Sequence, residues 1–298
     1  GGMALAMFFI GSAGIMAGAV VSFLLFKGTV GAEFSAGFGA LSASWTGGSA
    51  NMIAVKEALA VPERVFAPMV IVDTVVPYVW MAMLIAYVGA QGIFDRWNGS
   101  DRRVLDDLAK RAVTQKADIR MTPGGAAAAL MFAAVGSLLA RDIGLRLPVV
   151  KDVVSPYAWT IILVSVLGLL LSLTPVRRLE QAGATRIGYA LLYFVLTAIG
   201  ARASIADINA AFVLILAGAV IITVHVLFLL AGARLLRAPL FLVAAASQAN
   251  VGGVASAPVV AAVYEPGLAS VGLLLAILGN IVGTYLGILC AQLCRFFA

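Results

Sequence analysis

The sequence predicts an all-α, polytopic membrane protein that contains internal structural repeats and two discontinuous or re-entrant helices. The first observation is composition: of 298 residues, 62% are hydrophobic and only 11% are charged, whereas soluble domains carry about 25% charged residues. The second is a series of apolar runs of about 20 residues, the length that spans a bilayer as a helix. The third is a pair of apolar segments, 33–60 and 239–264, that are broken in the middle by glycine and polar residues.

Several apolar runs are long enough to be predicted as membrane crossings. They cover residues 3–26, 66–92, 124–142, 157–173, 185–203, 208–231 and 267–297. The stretch 93–123 is predicted to be a cytoplasmic amphipathic loop, because seven of the twenty Lys and Arg residues lie between Arg96 and Arg120 and cytoplasmic loops are enriched in these residues. This distribution accounts for the net charge of +6 without nucleic acid as a partner.

The broken segments leave the topology open near the end of the chain. If the unbroken runs between residues 124 and 173 each cross once, Arg177 and Arg234 fall on the cytoplasmic side with the 93–123 loop. Arg295 then lies inside if the broken segments cross, and outside if they are re-entrant hairpins. The positive-inside rule slightly favours crossing.

A shift of 205 residues aligns the two broken segments and indicates a duplication. It matches 47–51 (GGSAN) with 252–256 (GGVAS), and in the preceding helices it pairs apolar residues of the same type, such as Phe23 with Phe228. A shared element of two glycines, alanine and a polar residue is more specific than apolar matches alone.

The repeat divides the chain into three parts. We expect 124–298 to be one complete repeat of six hydrophobic elements, joined by the 93–123 loop to 1–92. Residues 1–92 would be the C-terminal part of the first repeat, whose N-terminal helices are absent. The start at Gly1, without a basic leader, agrees with this division.

The broken centres are the predicted binding site. In hydrocarbon, irregular backbone persists only where protein or a cavity surrounds it, and discontinuous helices of this kind mark the sites of transporters. The N-terminal end of a half-helix suits a carboxylate, and the carbonyls that end the preceding half-helix suit Na⁺. Close helix packing through small residues is the alternative interpretation, but it does not explain the amides beside the glycines. The candidate substrate-binding residues are Thr46, Gly47, Gly48, Ser49, Gln248, Gly252, Gly253 and Ser256.

Asp73 is the acidic residue placed deepest in an apolar run, and a carboxylate inside the membrane indicates function. Such a group binds Na⁺ or carries a proton; the structural alternative is a hydrogen bond that caps a kink at Pro77. Asn280 is its near counterpart in the second repeat, offset by 207 residues. The candidate cation-coupling residues are Asp73, Asn51, Asn250 and Asn280, and no cofactor or metal other than Na⁺ is expected.

The paired motifs resemble the YjcL-like family of bacterial membrane proteins, which carries the domain of unknown function eight-one-nine. The resemblance rests on 47–51, on 247–258 (SQANVGGVASAP) and on 193–203 (YFVLTAIGARA), and it covers essentially the whole chain. It implies further hydrophobic segments before Gly1, about three by the repeat count. It also implies kinship with the sodium–glutamate, sodium–bile acid and 2-hydroxycarboxylate carriers, which have inverted repeats and a mobile core with broken helices. Two crossing segments would instead make the repeats of this chain parallel.

These features predict secondary active transport of a small anionic organic solute, coupled to Na⁺ or H⁺, by alternating access in a bacterial inner membrane. An ion or solute channel, or a sensor without transport activity, is the alternative. An enzyme is not expected, because His225 and the cysteines Cys290 and Cys294 form neither a nucleophile–base pair nor a metal cluster in the sequence. The expected partners are the solute and membrane lipids, with a homodimer left open.

Overall fold

The computed structural model describes residues 2–101, 103, 105, 122–148, 156–184, 186–188, 190, 191, 194 and 205–298 of the chain. Within these residues the regular structure is helical, without strands. The helices are α1 (Gly2–Val30), α2 (Ser35–Gly47), α3 (Ser49–Ala58), α4 (Glu63–Ala86), α5 (Gln91–Asn98), α6 (Pro123–Arg146), α7 (Pro156–Ser172), α8 (Ile205–Leu236), α9 (Leu240–Val251), α10 (Gly253–Tyr264) and α11 (Ala269–Phe296). Short 3₁₀ helices lie at Ala32–Phe34, Tyr87–Ala90, Pro175–Glu180 and Pro266–Leu268.

Five helices of the described part are long and apolar enough to cross a membrane, and they coincide with five of the predicted crossings. They are Gly2–Val30, Glu63–Asn98, Pro123–Arg146, Phe212–Leu236 and Ala269–Phe296. The crossing predicted at 157–173 coincides with α7, a shorter apolar helix. The run at 185–203 and the 93–123 loop fall largely outside the described residues.

The outer surface of these helices is apolar, as expected for a protein in contact with lipid. Leu25, Leu138 and Leu235 are 66%, 63% and 83% exposed. Apolar surface of this extent marks contact with a membrane or a partner. The protein is a multi-pass, all-helical membrane protein.

α1 and α8 pack against each other and run in opposite directions. A Cβ on Gly14 would lie 2.9 Å from the Cα of His225, and the Ser22 hydroxyl donates to the Ala217 carbonyl at 2.8 Å. Residues later in α1 contact residues earlier in α8, so the two helices are antiparallel. Small residues at these positions let the two backbones approach closely.

The first broken segment, residues 35–58, folds into two antiparallel arms that we call hairpin 1. α2 ends and α3 begins at Gly48, whose φ of 86° lies in the left-handed region that favours glycine. Both arms reach the same point of α11: a Cβ on Gly287 would overlap the Ala43 side chain of α2 and lie 3.0 Å from Cγ2 of Val55 in α3. In a straight helix Ala43 and Val55 would be about 18 Å apart, so the chain turns back at Gly48.

The second broken segment, residues 240–264, forms hairpin 2 in the same way. α9 ends at Val251, and α10 begins after Gly252. The Gln248 amide nitrogen donates to the Ser256 hydroxyl at 2.8 Å, although eight residues of straight helix would separate these residues by about 12 Å. The chain therefore reverses between them.

Both ends of hairpin 2 are held by α5. At the start of the hairpin, the N–H of Leu240 donates to Oδ1 of Asp95 at 2.8 Å. Just after its end, Oε1 of Glu265 accepts a hydrogen bond from Nε2 of Gln91 at 2.9 Å. The two arms thus begin and finish at the same end of the molecule.

The hairpins enter the protein from opposite ends of the rod formed by α4 and α5. The base of hairpin 1 lies at the start of α4, where a Cβ on Gly37 would be 2.8 Å from Cγ1 of Val65. The base of hairpin 2 lies at α5, at the other end. Their tips meet between these ends, since a Cβ on Gly253 would lie 3.9 Å from the Cα of Gly48.

α2 packs on α11 through glycines on both helices. A Cβ on Gly283 would lie 2.9 Å from the Cα of Gly47, and a Cβ on Gly279 would overlap the carbonyl oxygen of Thr46. Backbone therefore contacts backbone at this crossing, as in other glycine-mediated helix pairs. This contact fixes the tip of hairpin 1 against the middle of α11.

A disulfide between positions 37 and 65 tests the reversal in hairpin 1. We expect Gly37→Cys with Val65→Cys to cross-link on mild oxidation in a background where Cys290 and Cys294 are alanine, because the two positions are adjacent. Protection of both thiols from alkylation, read by mass spectrometry, is the measurement. The control pair, Gly37→Cys with Tyr87→Cys, joins opposite ends of α4 and should stay reduced; the reverse pattern would contradict the hairpin.

Gly279→Ala tests the backbone contact between α2 and α11. The added methyl group has no space beside the Thr46 carbonyl, so we expect unfolding to become about 1–3 kcal/mol easier. Gly28→Ala is the matched control: its Cβ would meet no atom within 4 Å, and alanine favours a helix more than glycine does. Thermal unfolding in detergent should separate the two variants, and equal melting temperatures would argue against close packing at Gly279.

Candidate functional site

Four helix ends converge where the tips of the two hairpins meet. α2 and α9 end there, and α3 and α10 begin there, on either side of Gly48 and Gly252. The last carbonyls and the first N–H groups of a helix have no partner within the helix. The helix dipole makes the C-terminal end of a helix, with its free carbonyls, negative and the N-terminal end, with its free N–H groups, positive. The tips therefore offer acceptors for a cation and donors for an anion within one small region.

A cavity of about 340 Å³ lies between the tips and α4, and we call it the tip cavity. Its polar lining consists of Ser44, Ser49, Asp73, Gln248 and Ser256, with Gly48 and Gly252 at the tips. The rest of the wall is apolar or aromatic and is formed by Pro77, Tyr78, Met81, Val251, Ala255 and Val259. Half of the residues predicted for the site come together here, and no Lys or Arg of the described residues lines the cavity.

Asp73 supplies the negative charge of the tip cavity. It lies in the middle of α4, where its Oδ2 is 3.4 Å from the Ser49 hydroxyl at the start of α3. Pro77, one turn later, has no N–H and cannot donate to the carbonyl of Asp73. A carboxylate, a carbonyl without its helical partner and nearby hydroxyls are oxygen ligands of the kind that hard cations take.

Gln248 presents an unfilled acceptor at the tip cavity. The residue is only 1% exposed, and its amide nitrogen is bonded to Ser256. Its Oε1 is buried without a hydrogen-bond partner among the described residues. Since a buried polar atom without a partner costs about 1–3 kcal/mol, this oxygen is suited to a ligand that occupies the cavity.

Two of the other three predicted amides, Asn51 and Asn250, hold the hairpins in place. The Asn51 amide nitrogen donates to the Gly47 carbonyl at 2.6 Å, and its Oδ1 accepts from the N–H of Thr284 at 3.0 Å. Oδ1 of Asn250 accepts from the Ser12 hydroxyl at 2.7 Å. Asn51 thus ties hairpin 1 to α11, and Asn250 ties hairpin 2 to α1. Neither lines the tip cavity, so the structure does not bring them to Asp73 as cation ligands.

Asn280 lies on a different side of the tips from Asp73. Its Oδ1 is 3.6 Å from the position of a Cβ on Gly48. The side chain lines a second cavity of about 770 Å³, which we call the Asn280 cleft, together with Arg177 and residues of α6 and α7. Asp73 and Asn280 were both predicted to be cation-coupling residues, but they line separate cavities.

The remaining predicted residues are packed beside the tips. Thr46 is fully buried, and its hydroxyl has no hydrogen-bond partner within the described residues. Gly47 faces α11, and Gly253 faces Gly48. These three shape the tips but do not line the tip cavity.

A hydrogen-bond network behind hairpin 2 links it to α1, α4 and α8. His225 Nδ1 lies 2.9 Å from the Gly11 carbonyl, and Nε2 lies 2.9 Å from the Ser247 hydroxyl, which also accepts from Trp80 Nε1 at 2.8 Å. A carbonyl can only accept, so the proton of the neutral ring is on Nδ1 and Ser247 donates to Nε2. Sequence reasoning gave no such role to His225, because its partners are distant in the chain.

Sequence reasoning also missed Ser44, Tyr78 and Met81 as lining residues of the tip cavity. The spacing from Asp73 to Pro77 to Met81 is one helical turn at each step, and this signal could have found Met81. Tyr78 lies three residues before Met81 and so is close to the same face of α4.

The fold and this site define a multi-pass helical membrane protein with a polar cavity between two helix hairpins. The chain belongs to the family described as "Protein of unknown function (DUF819)", whose family model matches residues 1–297. This match confirms the family that the paired motifs indicated. No curated protein and no solved structure matches the chain.

Gln248→Met tests whether the buried oxygen serves the fold or a ligand. Methionine has a similar volume and no unpaired oxygen, so we expect the melting temperature of the empty protein to stay unchanged or to rise. Asn250→Met is the contrasting control: that amide is fully buried and bonded on both sides, so its loss should lower the melting temperature by several degrees. A comparable loss in Gln248→Met would mean that this amide is structural.

Proposed function

We propose that the protein is a secondary active transporter of a bacterial inner membrane, which moves a small organic anion together with Na⁺ or H⁺ by alternating access. The observation that carries the proposal is the meeting of two hairpin tips, from opposite ends of α4 and α5, beside Asp73. Sites of secondary transporters are commonly built where broken helices meet near the middle of the membrane. The role is transport and not catalysis; membrane lipids, and a second copy of the chain in a homodimer, are compatible partners.

In this proposal the hairpins are re-entrant segments. Each returns to the end of the α4–α5 rod from which it enters, and that rod, Glu63–Asn98, is 36 residues long. Arg295 then lies on the outer side, opposite Arg177 and Arg234. Contact between Lys27, at the end of α1, and the Phe297 carbonyl supports this placement, because both would lie at the outer surface.

The antiparallel packing of α1 and α8 supports inverted repeats. The 205-residue shift matches these two helices, for example Phe23 with Phe228, yet they run in opposite directions. Parallel repeats, the arrangement expected from two crossing segments, would give the matched helices the same direction. Inverted repeats are also the arrangement of the sodium–glutamate, sodium–bile acid and 2-hydroxycarboxylate carriers, to which we relate the family by this proposal.

The cation is assigned to Asp73 because the tip cavity is rich in acceptors. The Asp73 carboxylate, Gln248 Oε1 and the carbonyl ends of α2 and α9 all attract positive charge. Ser49 completes a set of oxygen ligands of the kind that suits Na⁺, and protonation of the same carboxylate is the alternative form of coupling. Asn51 and Asn250 would support this site indirectly, by holding the tips.

The charge of Asp73 explains why the cation and an anion would move together. No Lys or Arg of the described residues lines the tip cavity, so an anion at the neighbouring tips would face an uncompensated carboxylate. Two like charges a few ångströms apart in a medium of low dielectric repel by several kcal/mol. Na⁺ or H⁺ at Asp73 removes this repulsion, and each ligand then favours binding of the other.

Asp73→Asn tests the cation assignment. In the wild-type protein we expect Na⁺ to raise the melting temperature relative to K⁺ at equal ionic strength, or a lower pH to raise it. We expect Asp73→Asn to abolish this rise, because the amide keeps the size of the carboxylate but loses its charge. Asp142→Asn is the control, since Asp142 is exposed on α6 and pairs with Arg146 one turn away. It should retain the full response.

Two outcomes of that experiment would count against the proposal. A response that persists in Asp73→Asn would place the cation elsewhere. No stabilisation of the wild-type protein by Na⁺ or H⁺, with any organic anion, would remove the basis for coupled transport. Uptake into proteoliposomes then separates a carrier from a channel, because a carrier saturates with solute and a channel passes ions without saturation.

A further inference from the structure

We infer that the Asn280 cleft is the anion-binding subsite of this transporter, and that the Arg177 guanidinium binds a carboxylate group of the solute there. The inference rests on the proposed function and deepens it: it names the side of the hairpin tips on which the anion lies and the residue that recognises it. Nothing in the sequence motifs pointed to Arg177 as a binding residue.

The cleft joins the hairpin tips to a separate layer of the protein. One wall is formed by the tip of hairpin 2, at Val254, and by α11 from Leu273 to Asn280. The other is formed by α6, α7 and the 3₁₀ helix that carries Arg177, which packs on both of these helices. Its volume of about 770 Å³ lies within the usual range of about 300–1,000 Å³ for small-molecule sites.

Arg177 is the basic residue that lines the cleft. Among the described carboxylates none pairs with it. Glu180 also lines the cleft and is itself engaged by another residue. A guanidinium presents a planar fork of N–H donors that matches the two oxygens of a carboxylate. Arg177 can thus supply the positively charged group that the tip cavity lacks, although the Glu180 carboxylate lines the same cleft.

Asn280 connects the cleft to the tip of hairpin 1. Its Oδ1 lies 3.6 Å from the Cβ position of Gly48, while the next residue, Ser49, contacts Asp73 on the other side. An anion beside Asn280 and a cation beside Asp73 would therefore lie on two sides of one short turn. Their mutual attraction acts across that turn, so the two subsites are close enough to couple without sharing ligands.

The position of Arg177 also indicates the side from which an anion would enter the cleft. Arg177 follows α7 at the end that the distribution of basic residues assigns to the cytoplasm. The lining of α11 runs from Leu273, near the start of that helix, to Asn280, near the tips. An anion that enters from the cytoplasmic side would meet Arg177 and then the tips.

Arg177→Gln tests the inference in the purified protein. Thermal stability would be measured against increasing succinate, citrate and L-glutamate, each with Na⁺ and with K⁺. We expect Arg177→Gln to need about tenfold more of the stabilising carboxylate than the wild-type protein, the order expected for one charge-assisted hydrogen bond at a partly exposed site. Its response to Na⁺ alone should be unchanged, because Asp73 lies in the other cavity.

Arg178→Gln is the matched control, because the neighbouring arginine has the same charge and does not line the cleft. It should behave like the wild-type protein. Asn280→Asp, which puts a negative charge in the cleft, should weaken carboxylate binding further while the Na⁺ response remains. Loss of both responses in that variant would mean that Asn280 belongs to the cation site, and would count against the inference.

The outcomes separate this inference from the proposed function. Equal carboxylate dependence in Arg177→Gln and the wild-type protein would overturn the inference and leave the coupled carrier standing. Equal weakening in Arg177→Gln and Arg178→Gln would also overturn it, because the effect would then be general surface charge. If no carboxylate stabilises the wild-type protein, the assignment of an organic anion as the solute fails, and this inference fails with it.

Discussion

The contact between Gly48 and Gly253 is the feature on which the rest of the structure depends. Two chain reversals meet there, and each leaves backbone N–H and C=O groups without helical partners. In hydrocarbon such groups must be enclosed by protein or must line a polar cavity. The surrounding helices α1, α4, α8 and α11 provide that enclosure, and the tip cavity provides the polar space. The same requirement that restricts this backbone to the interior makes it available to a ligand.

The hydrogen bonds around the tips determine which parts can move together. Asn51 bonds hairpin 1 to Thr284 on α11, Asn250 bonds hairpin 2 to Ser12 on α1, and His225 bonds α8 to both α1 and hairpin 2. Truncating any of these buried amides or the imidazole would leave its partners unpaired. The hairpins and these helices are thus held as one body. α6 and α7 pack on each other, α7 also packs on α3 of hairpin 1, and the Asn280 cleft lies between these two helices and the tips.

Composition and apolar run length were sufficient to predict the helical membrane fold, because the thickness of the bilayer fixes the length of a spanning helix. The breaks at Gly48 and Gly252 were also predictable, since glycine pairs flanked by polar residues disfavour a continuous helix. Whether the broken segments cross or turn back was not predictable, because both paths use the same length of chain. The contacts that show the chain reversal in hairpin 1, such as Gly287 with Ala43 and Val55, join residues more than 200 positions apart.

The residue types of the candidate site were predictable from the sequence, but the role of each residue was not. Asn51 and Gln248 are both amides beside a glycine pair, yet Asn51 has its hydrogen bonds satisfied by the protein and Gln248 keeps an oxygen without a partner. The difference depends on the neighbouring helix, which the local sequence does not specify. In the sequence, Arg177 served only to predict the membrane topology, because a basic residue after a crossing is common. Its place in a cleft depends on how α6 and α7 pack beside the hairpins, where α7 contacts α3 of hairpin 1.

The difference between Asp73 and Asn280 makes the two sides of the hairpin tips chemically different. A carboxylate at both positions would surround the tips with negative charge and would exclude an anion from either side. An amide at both positions would leave a cation with dipoles alone, which are weaker ligands than an ionised group. One carboxylate and one amide, on two sides of the same turn, allow a cation on one side and an anion on the other. Each of these residues lies on the helix that follows a hairpin, so a difference at this single pair of positions would be enough to give the two sides of the tips opposite preferences for charge.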